Sequence, residues 1–160
     1  MRTQARTGWA IAAAAAAIVA SVAGPTVARA EPAGAGFTAT PDGILSITLQ
    51  NKKTGRCLEQ GANGHVFTAP CNGSSQQRWN WFGSDPEWRS LANAWSEECL
   101  DGTSSGGRVY TLSCNGSDYQ KWKHSSGQFN QRQSVQNLDS NFEGSVYLSP
   151  WNGSDYQQWL

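Results

Sequence analysis

One short segment occurs three times in this chain and limits the folds that the chain can adopt. The copy from Cys114 to Trp122 reads Cys-Asn-Gly-Ser-Asp-Tyr-Gln-Lys-Trp, and related segments run from Cys71 to Trp79 and from Trp151 to Trp159. The copies stand roughly 40 residues apart, a period at which each unit holds only a few strands or helices. Because units of that size cannot bury a core alone, the three repeats must share one core.

Two further columns of residues align when the repeats are superposed on their final tryptophans. Each repeat has a Leu followed by an acidic residue and, further on, a Val followed by an aromatic residue. No helical periodicity is present beyond Ala30, whereas the polar–apolar alternation of Ser46–Gln50 is typical of a strand. Short strands separated by Asn-Gly turns predict an all-β fold with threefold pseudo-symmetry. The two columns contain Leu58-Glu59, Leu100-Asp101 and Leu138-Asp139, then Val66-Phe67, Val109-Tyr110 and Val146-Tyr147.

The four cysteines follow the same register. Two fall in the first repeat and two at the corresponding positions of the second, whereas the third repeat has neither. Four cysteines allow three pairings, but only pairing within a repeat explains why both partners are missing together. The predicted disulfides are Cys57–Cys71 and Cys99–Cys114, and the third repeat has Asn137 and Trp151 at these positions.

The N-terminal segment has the composition of a secretory signal peptide. Basic residues precede an apolar, alanine-rich run from Gly8 to Ala23, and Ala28-Arg29-Ala30 offers small residues for cleavage. The run is shorter than the roughly 20 residues that cross a bilayer, so we expect no membrane span. The predicted organisation is a signal peptide over residues 1–30 cleaved near Ala30, a short flexible tail over residues 31–43, and one secreted domain over residues 44–160.

Charge and motif content argue against several other classes of function. Basic and acidic residues are equal in number, 12 of each, so no basic face for nucleic acid is indicated. His65 and His124 show no metal-ligand spacing with the cysteines. No Ser-His-Asp or Cys-His arrangement is present, and the adjacent acids Glu97-Glu98 would point to opposite sides of a strand. We therefore expect no metal, no cofactor and no catalytic activity.

Three repeats of this length, each ending in Gln-x-Trp, resemble the ricin B-type lectin family. The Cys-Leu-acid segments and the within-repeat cysteine pairs resemble the same family, and the resemblance covers about Ile44 to Leu160. It implies a β-trefoil, in which six strands form a barrel and six close it as a hairpin cap, and it implies binding of glycans without indicating which sugar. The Gln-x-Trp residues, to which we assign an architectural role, are Gln77 and Trp79, Gln120 and Trp122, and Gln157 and Trp159.

Sugar binding needs a polar group for hydroxyls and a ring for the apolar C–H face. In the resembled family the acid after Cys-Leu supplies the first. The family's usual ring position holds Ala69, Leu112 and Ser149 here, but aromatic residues stand two positions earlier, on the same face of a strand. The family's Asn before Gln-x-Trp is also replaced. The predicted sugar-binding residues are Glu59, Phe67 and Gln76 in repeat one, Asp101, Tyr110 and Tyr119 in repeat two, and Asp139, Tyr147 and Tyr156 in repeat three.

We rank repeats two and three above repeat one, because each combines an Asp with two tyrosines. The predicted function is a secreted, non-catalytic lectin or stand-alone carbohydrate-binding module, whose two or three sites would raise its avidity. Two alternatives stay open: the acids and rings have only packing roles, or the fold binds a protein, for example as an inhibitor of secreted proteases. Trp81, Trp88 and Trp95, which have no equivalents in the third repeat, either form an extra ligand platform or fill the join between repeats one and two.

Overall fold

The computed structural model describes residues 38–39, 44–103 and 105–160, which form short β-strands and single-turn 3₁₀ helices. The strands are β1 (Thr38–Ala39), β2 (Leu45–Ile47), β3 (Cys57–Gln60), β4 (Val66–Ala69), β5 (Trp79–Phe82), β6 (Ser90–Asn93), β7 (Cys99–Gly102), β8 (Val109–Leu112), β9 (Trp122–Ser125), β10 (Gln128–Gln131), β11 (Asn137–Ser140) and β12 (Val146–Ser149). The 3₁₀ helices are Ala62–Gly64, Ser75–Gln77, Asp118–Gln120 and Asp155–Gln157.

The predicted all-β fold of three related repeats is confirmed. The antiparallel hairpins β3–β4, β7–β8 and β11–β12 are equivalent, and each is followed by a 3₁₀ helix at the Gln of Gln-x-Trp. The remaining strands pair side by side through β2–β5–β6 and β9–β10. A bridge between Arg89 and Trp122 joins these two groups.

The first and last repeats close the barrel by direct backbone pairing. Asn51 and Trp159 form an antiparallel bridge. Gln50 and Leu160 exchange both backbone hydrogen bonds, at 3.0 and 2.8 Å. Thr38 and Ala39, which fall within the predicted tail, also pair with β2, whereas the predicted signal peptide lies outside the described residues.

The repeated Leu, Val and Trp columns form the core. All nine of these side chains are buried and belong to one cluster. Each tryptophan also donates its indole N–H to the backbone carbonyl of the Leu in its own repeat, which satisfies a buried polar group. The donor–acceptor pairs are Trp79 to Leu58 at 3.1 Å, Trp122 to Leu100 at 2.9 Å and Trp159 to Leu138 at 3.0 Å.

Both predicted disulfides are present, Cys57–Cys71 and Cys99–Cys114. Each closes a hairpin onto the Asn-Gly turn that follows it. In the third repeat Asn137 is buried and accepts a hydrogen bond from Asn130 at 2.6 Å, while Trp151 is about half exposed. The third hairpin is therefore held by hydrogen bonds and packing instead of a covalent link.

The three hairpins meet around the pseudo-threefold axis through three equivalent glycines. Each has a positive φ, and a Cβ there would lie within 3 Å of a backbone carbonyl oxygen of the next repeat, so no other residue fits without movement. The contacts form a closed ring from repeat one to two, two to three and three to one. They are Gly64 to Thr111 at 2.4 Å, Gly107 to Leu148 at 2.5 Å and Gly144 to Thr68 at 2.9 Å, measured from the Cβ position to the carbonyl oxygen.

Candidate functional site

The structure brings the predicted acid and ring together in every repeat. Each acid on the first strand of a hairpin is the direct partner of the aromatic residue on the second strand, and directly opposed residues point to the same face. The spacing between two such side chains is short enough for both to contact one sugar. The pairs are Glu59 with Phe67, Asp101 with Tyr110 and Asp139 with Tyr147.

The glutamine of each Gln-x-Trp is fully buried and joins the 3₁₀ helix to the end of its hairpin. In the first repeat, the side-chain oxygen of Gln77 accepts a hydrogen bond from the backbone N–H of Asn72 at 2.8 Å, and its Nε2 donates to the carbonyl of Pro70 at 3.0 Å. Gln120 and Gln157 make the equivalent bonds in the other repeats. Gln77 also donates a direct hydrogen bond to the acid, from Nε2 to Oε2 of Glu59 at 2.7 Å.

A second set of buried amides positions the residue before each Gln-x-Trp. Each belongs to the following repeat and donates to the backbone carbonyl of that residue, so every site is built from two repeats. These amides are not among the predicted site residues, although an Asn or Gln at the equivalent position of every repeat could have indicated them. The bonds run from Asn93 to Gln76 at 2.8 Å, from Gln131 to Tyr119 at 2.8 Å and from Asn51 to Tyr156 at 2.7 Å.

The three acids differ in their surroundings. Burial raises the pKa of Asp101, although Gln120, the Tyr110 hydroxyl and the Gly102 N–H oppose the rise. Burial also raises the pKa of Asp139, against the opposing effect of Gln157. One carboxylate oxygen of Asp139, Oδ1, is buried without a hydrogen-bond partner among the described residues.

Burial raises the pKa of the partner tyrosines as well. For Tyr110, the nearby Asp101 carboxylate adds to the effect of burial, because a phenolate beside it would be a second negative charge. Tyr147 is affected in the same way by burial and then by Asp139. Both tyrosines therefore remain neutral hydroxyl groups at neutral pH and can donate hydrogen bonds.

The acid of repeat one, which the sequence ranks last, is more exposed than the acids of repeats two and three. Asp101 and Asp139 are each only 3% exposed, whereas Glu59 is partly exposed. The longer Glu side chain reaches further from the strand, and its contact with Gln77 holds one carboxylate oxygen in place. A ligand can thus reach Glu59 directly, while Asp101 and Asp139 require the neighbouring side chains to shift.

Trp95 is a large aromatic residue on the segment that follows Asn93, whose amide bonds the Gln76 carbonyl of the first site. It is 52% exposed and lies two residues after Asn93, whose Oδ1 accepts a hydrogen bond from the Trp95 N–H at 3.0 Å. At the equivalent place in repeat one, the Lys53 ammonium lies over the Tyr156 ring, 6.0 Å from its centre. By the pseudo-symmetry, Trp95 occupies the position that Lys53 has in repeat one, because the N–H of each is bonded to the side-chain oxygen of the Asn two residues earlier.

The two other tryptophans of this region have structural neighbours. Trp81 packs edge-on against Phe129, with ring centres 5.8 Å apart. Trp88 lies between the cations of Lys123 and Arg132, at 6.0 and 5.9 Å from its ring. Trp81 and Trp88 therefore fill the join between neighbouring repeats, and Trp95 is the member of the three that faces solvent.

Comparison with known protein families agrees with this geometry. Residues 45–159 match the model of the ricin-type beta-trefoil lectin domain. The chain belongs to this lectin family. The predicted β-trefoil is thereby confirmed, and carbohydrate binding is the activity of the family as a whole.

Solved structures share the fold of this lectin domain at low sequence identity. A designed 3-fold symmetric protein, ThreeFoil, has a TM-score of 0.65 and 23% identity over 71% of this chain and 95% of its own. SeviL, bound to asialo-GM1 saccharide, has a TM-score of 0.61 and 14% identity over 73% of this chain and 95% of its own. The exo-beta-1,3-galactanase 1,3Gal43A from Clostridium thermocellum has a TM-score of 0.65 and 21% identity over 74% of this chain. The lectin domain spans only 30% of that enzyme.

No group of three His, Cys, Asp or Glu side chains that could hold a metal ion occurs in residues 38–39, 44–103 and 105–160. Over the same residues, no helix combines the length and the apolar character that a membrane crossing needs.

Proposed function

We propose that this protein is a non-catalytic carbohydrate-binding lectin that acts after export from the cell. The observation that carries the proposal is the acid–aromatic pair, which recurs at the same register on all three hairpins. A carboxylate beside a ring on one face offers the acceptor and the apolar surface that a hexose needs. The disulfides Cys57–Cys71 and Cys99–Cys114 support export, because such bonds persist in oxidising compartments.

The first site is the primary sugar site in this proposal. Glu59 is the accessible acid, Gln77 orients it, and the exposed Trp95 is the ring assigned to this site, because its N–H bonds the same Asn93 that holds the Gln76 carbonyl. Tryptophan presents the largest apolar face of any side chain and needs few rotamers to be fixed on binding, which favours it in ligand contacts. Repeat two thus supplies the ring that repeat one lacks at the position of Tyr119 and Tyr156.

The second and third sites provide additional, weaker binding. Each has a carboxylate and a neutral tyrosine on one face, and Tyr119 is 38% exposed. Binding of a repetitive polysaccharide by several sites at once raises the overall affinity without any new contact. The fold of this chain matches 95% of the length of SeviL, which is described as bound to asialo-GM1 saccharide, and this similarity also supports glycan binding.

Calorimetry with neutral polysaccharides, chosen from a glycan-array screen, tests this function. We expect Glu59→Gln to weaken binding at least tenfold, because a hydrogen bond to a charged group contributes about 1.5–3 kcal/mol. Asp101→Asn and Asp139→Asn should each reduce avidity by less. Glu87→Gln is a matched control, since Glu87 is an exposed acid whose partner is Lys123.

Two results would overturn the proposal. One is a folded protein that binds no glycan in the array. The other is a variant carrying all three substitutions, Glu59→Gln, Asp101→Asn and Asp139→Asn, that binds as tightly as the wild type and as the Glu87→Gln control.

A further inference from the structure

A cavity of about 510 Å³ lies where the three hairpins meet around the pseudo-threefold axis. Its wall includes β4 from repeat one, part of β8 from repeat two and the turn that leads into β12 from repeat three. We call it the axial cavity. Its volume falls within the range of about 300–1,000 Å³ that small-ligand sites occupy, and none of the three acids of the sugar sites lines it.

The axial cavity has more positive than negative charge. Arg56 and Arg108 line it, and Glu143 is the single carboxylate among its lining residues. Neither arginine forms an ion pair with any described residue. Arg56 donates one guanidinium N–H to the carbonyl of Phe142 at 3.2 Å, while its Nε is buried without a partner. The positive charge of the two guanidinium groups is thus not balanced by an ion pair, and an anionic group in the cavity would balance it.

The walls of the axial cavity continue into the sugar sites. Phe67 and Tyr110, the rings of sites one and two, also line the cavity. The backbones of both residues also bridge to other repeats across the hairpin junctions: Phe67 to Ser145 and Tyr110 to His65. A glycan that occupies a site on one hairpin can therefore place its next unit in the axial cavity without a gap.

We propose that the axial cavity binds an acidic unit, carrying a carboxylate or a sulfate, of a polysaccharide held by the sugar sites. The guanidinium fork suits both anions, because it donates two parallel hydrogen bonds to a pair of oxygens. Phe67 and Tyr110 supply the apolar surface for the ring of the sugar. This inference rests on the proposed function, and it extends that function from neutral to acidic glycans.

The test compares oligogalacturonate with a neutral oligosaccharide of equal length that the wild type binds. Arg108→Gln should weaken binding of oligogalacturonate about tenfold or more, because it removes a charge-assisted hydrogen bond, and should leave the neutral ligand unaffected. Glu143→Gln should tighten binding of oligogalacturonate about two- to threefold by removing the repelling charge. Arg78→Gln is the matched control, since Arg78 is an exposed arginine outside the cavity.

A second measurement reads the cavity directly, without a variant. In an NMR titration with D-glucuronate, the Nε–H signal of the buried Arg56 should shift, and the same amount of D-glucose should not move it. Low-molecular-weight dextran sulfate in place of oligogalacturonate distinguishes a sulfate from a carboxylate as the preferred anion. Weaker binding of either acidic ligand by Arg108→Gln supports anion binding in the axial cavity.

The two proposals fail in different ways. Suppose that Glu59→Gln abolishes binding of the neutral glycan but Arg108→Gln binds both acidic ligands as well as the Arg78→Gln control does. Anion binding in the axial cavity is then refuted, and sugar binding at the three sites is supported. If no neutral glycan binds but glucuronate shifts the Arg56 Nε–H signal, neutral sugar binding is refuted, and only anion binding in the axial cavity is supported. Absence of binding to neutral and acidic ligands alike refutes both.

Discussion

Replacement of Gly107 by Ala should destabilise the protein far more than replacement of Gly116, although both glycines have a positive φ, +63° and +73°. An L-residue in this conformation costs about 1–2 kcal/mol, and that cost applies to both variants. The surroundings differ. A Cβ at Gly107 would lie 2.5 Å from the carbonyl oxygen of Leu148, whereas one at Gly116 would meet nothing within 4 Å.

The additional cost at Gly107 has two sources. Backbone must move to relieve the contact, and overpacking of this kind costs about 1–3 kcal/mol. The movement also stretches the hydrogen bond from the Leu148 N–H to the Gly107 carbonyl, now 2.6 Å long, whose loss costs about 1 kcal/mol. We therefore expect Gly107→Ala to lose about 2–4 kcal/mol more than Gly116→Ala.

Urea unfolding followed by tryptophan fluorescence measures this difference. The buried Trp79, Trp122 and Trp159 give a signal from every repeat. The far-UV circular dichroism of both variants should match that of the wild type below the transition. Equal losses of stability in the two variants, within about 0.5 kcal/mol, would refute the claim that the ring of glycines closes the hairpin cap.

Three further variants test the site. Because burial raises the pKa of Asp139, the native state holds that proton more tightly than the unfolded chain, and wild-type stability falls as the pH rises through the native pKa. Asp139→Asn should therefore gain stability relative to the wild type between pH 3 and pH 7, and a pH-independent difference in urea midpoints would contradict this. Trp95→Ala should weaken binding of a neutral glycan about tenfold, or about 1.4 kcal/mol, with unchanged thermal stability; Trp95→Phe should restore part of the affinity. Asn93→Ala should cost about 1–3 kcal/mol of stability, since it leaves the Gln76 carbonyl without its donor, and a loss below 0.5 kcal/mol would argue against the role of this amide.

The fold was readable from the sequence because every repeat carries the same core positions. Leu58, Val66 and Trp79 recur in the other two repeats, and a core built three times from one pattern leaves a single consistent register. The cysteines supported that register, and both disulfides formed as predicted. The direct pairing of acid and ring followed from the same register, because residues on the two strands of a hairpin have fixed partners.

The exposure of each acid was not readable from the sequence. The sequence ranks the repeats only by chemical type, with an Asp and two tyrosines above Glu59 with Phe67. That ranking contains no information on how deeply each acid is buried. Burial depends on neighbouring side chains that are distant in sequence, and Tyr110 and Gln120 are hydrogen-bonded neighbours of Asp101. The longer side chain of Glu59 extends past such neighbours, which a one-dimensional alignment cannot show.

Contacts between repeats explain why no single repeat contains a complete site. Asn93 belongs to repeat two, yet it donates a hydrogen bond to the Gln76 carbonyl of site one and accepts one from the Trp95 N–H. The backbone of each aromatic residue also bridges to the residue before the Val of the preceding repeat, as Tyr110 does to His65. Each site thus takes its acid and ring from one repeat and its borders from both neighbours. A substitution that departs from the family within one repeat, such as Gln76, can be compensated by a residue of the next. The functional unit in this lectin is therefore the junction between repeats, and variants at the junction should change ligand preference while the repeated core keeps the fold.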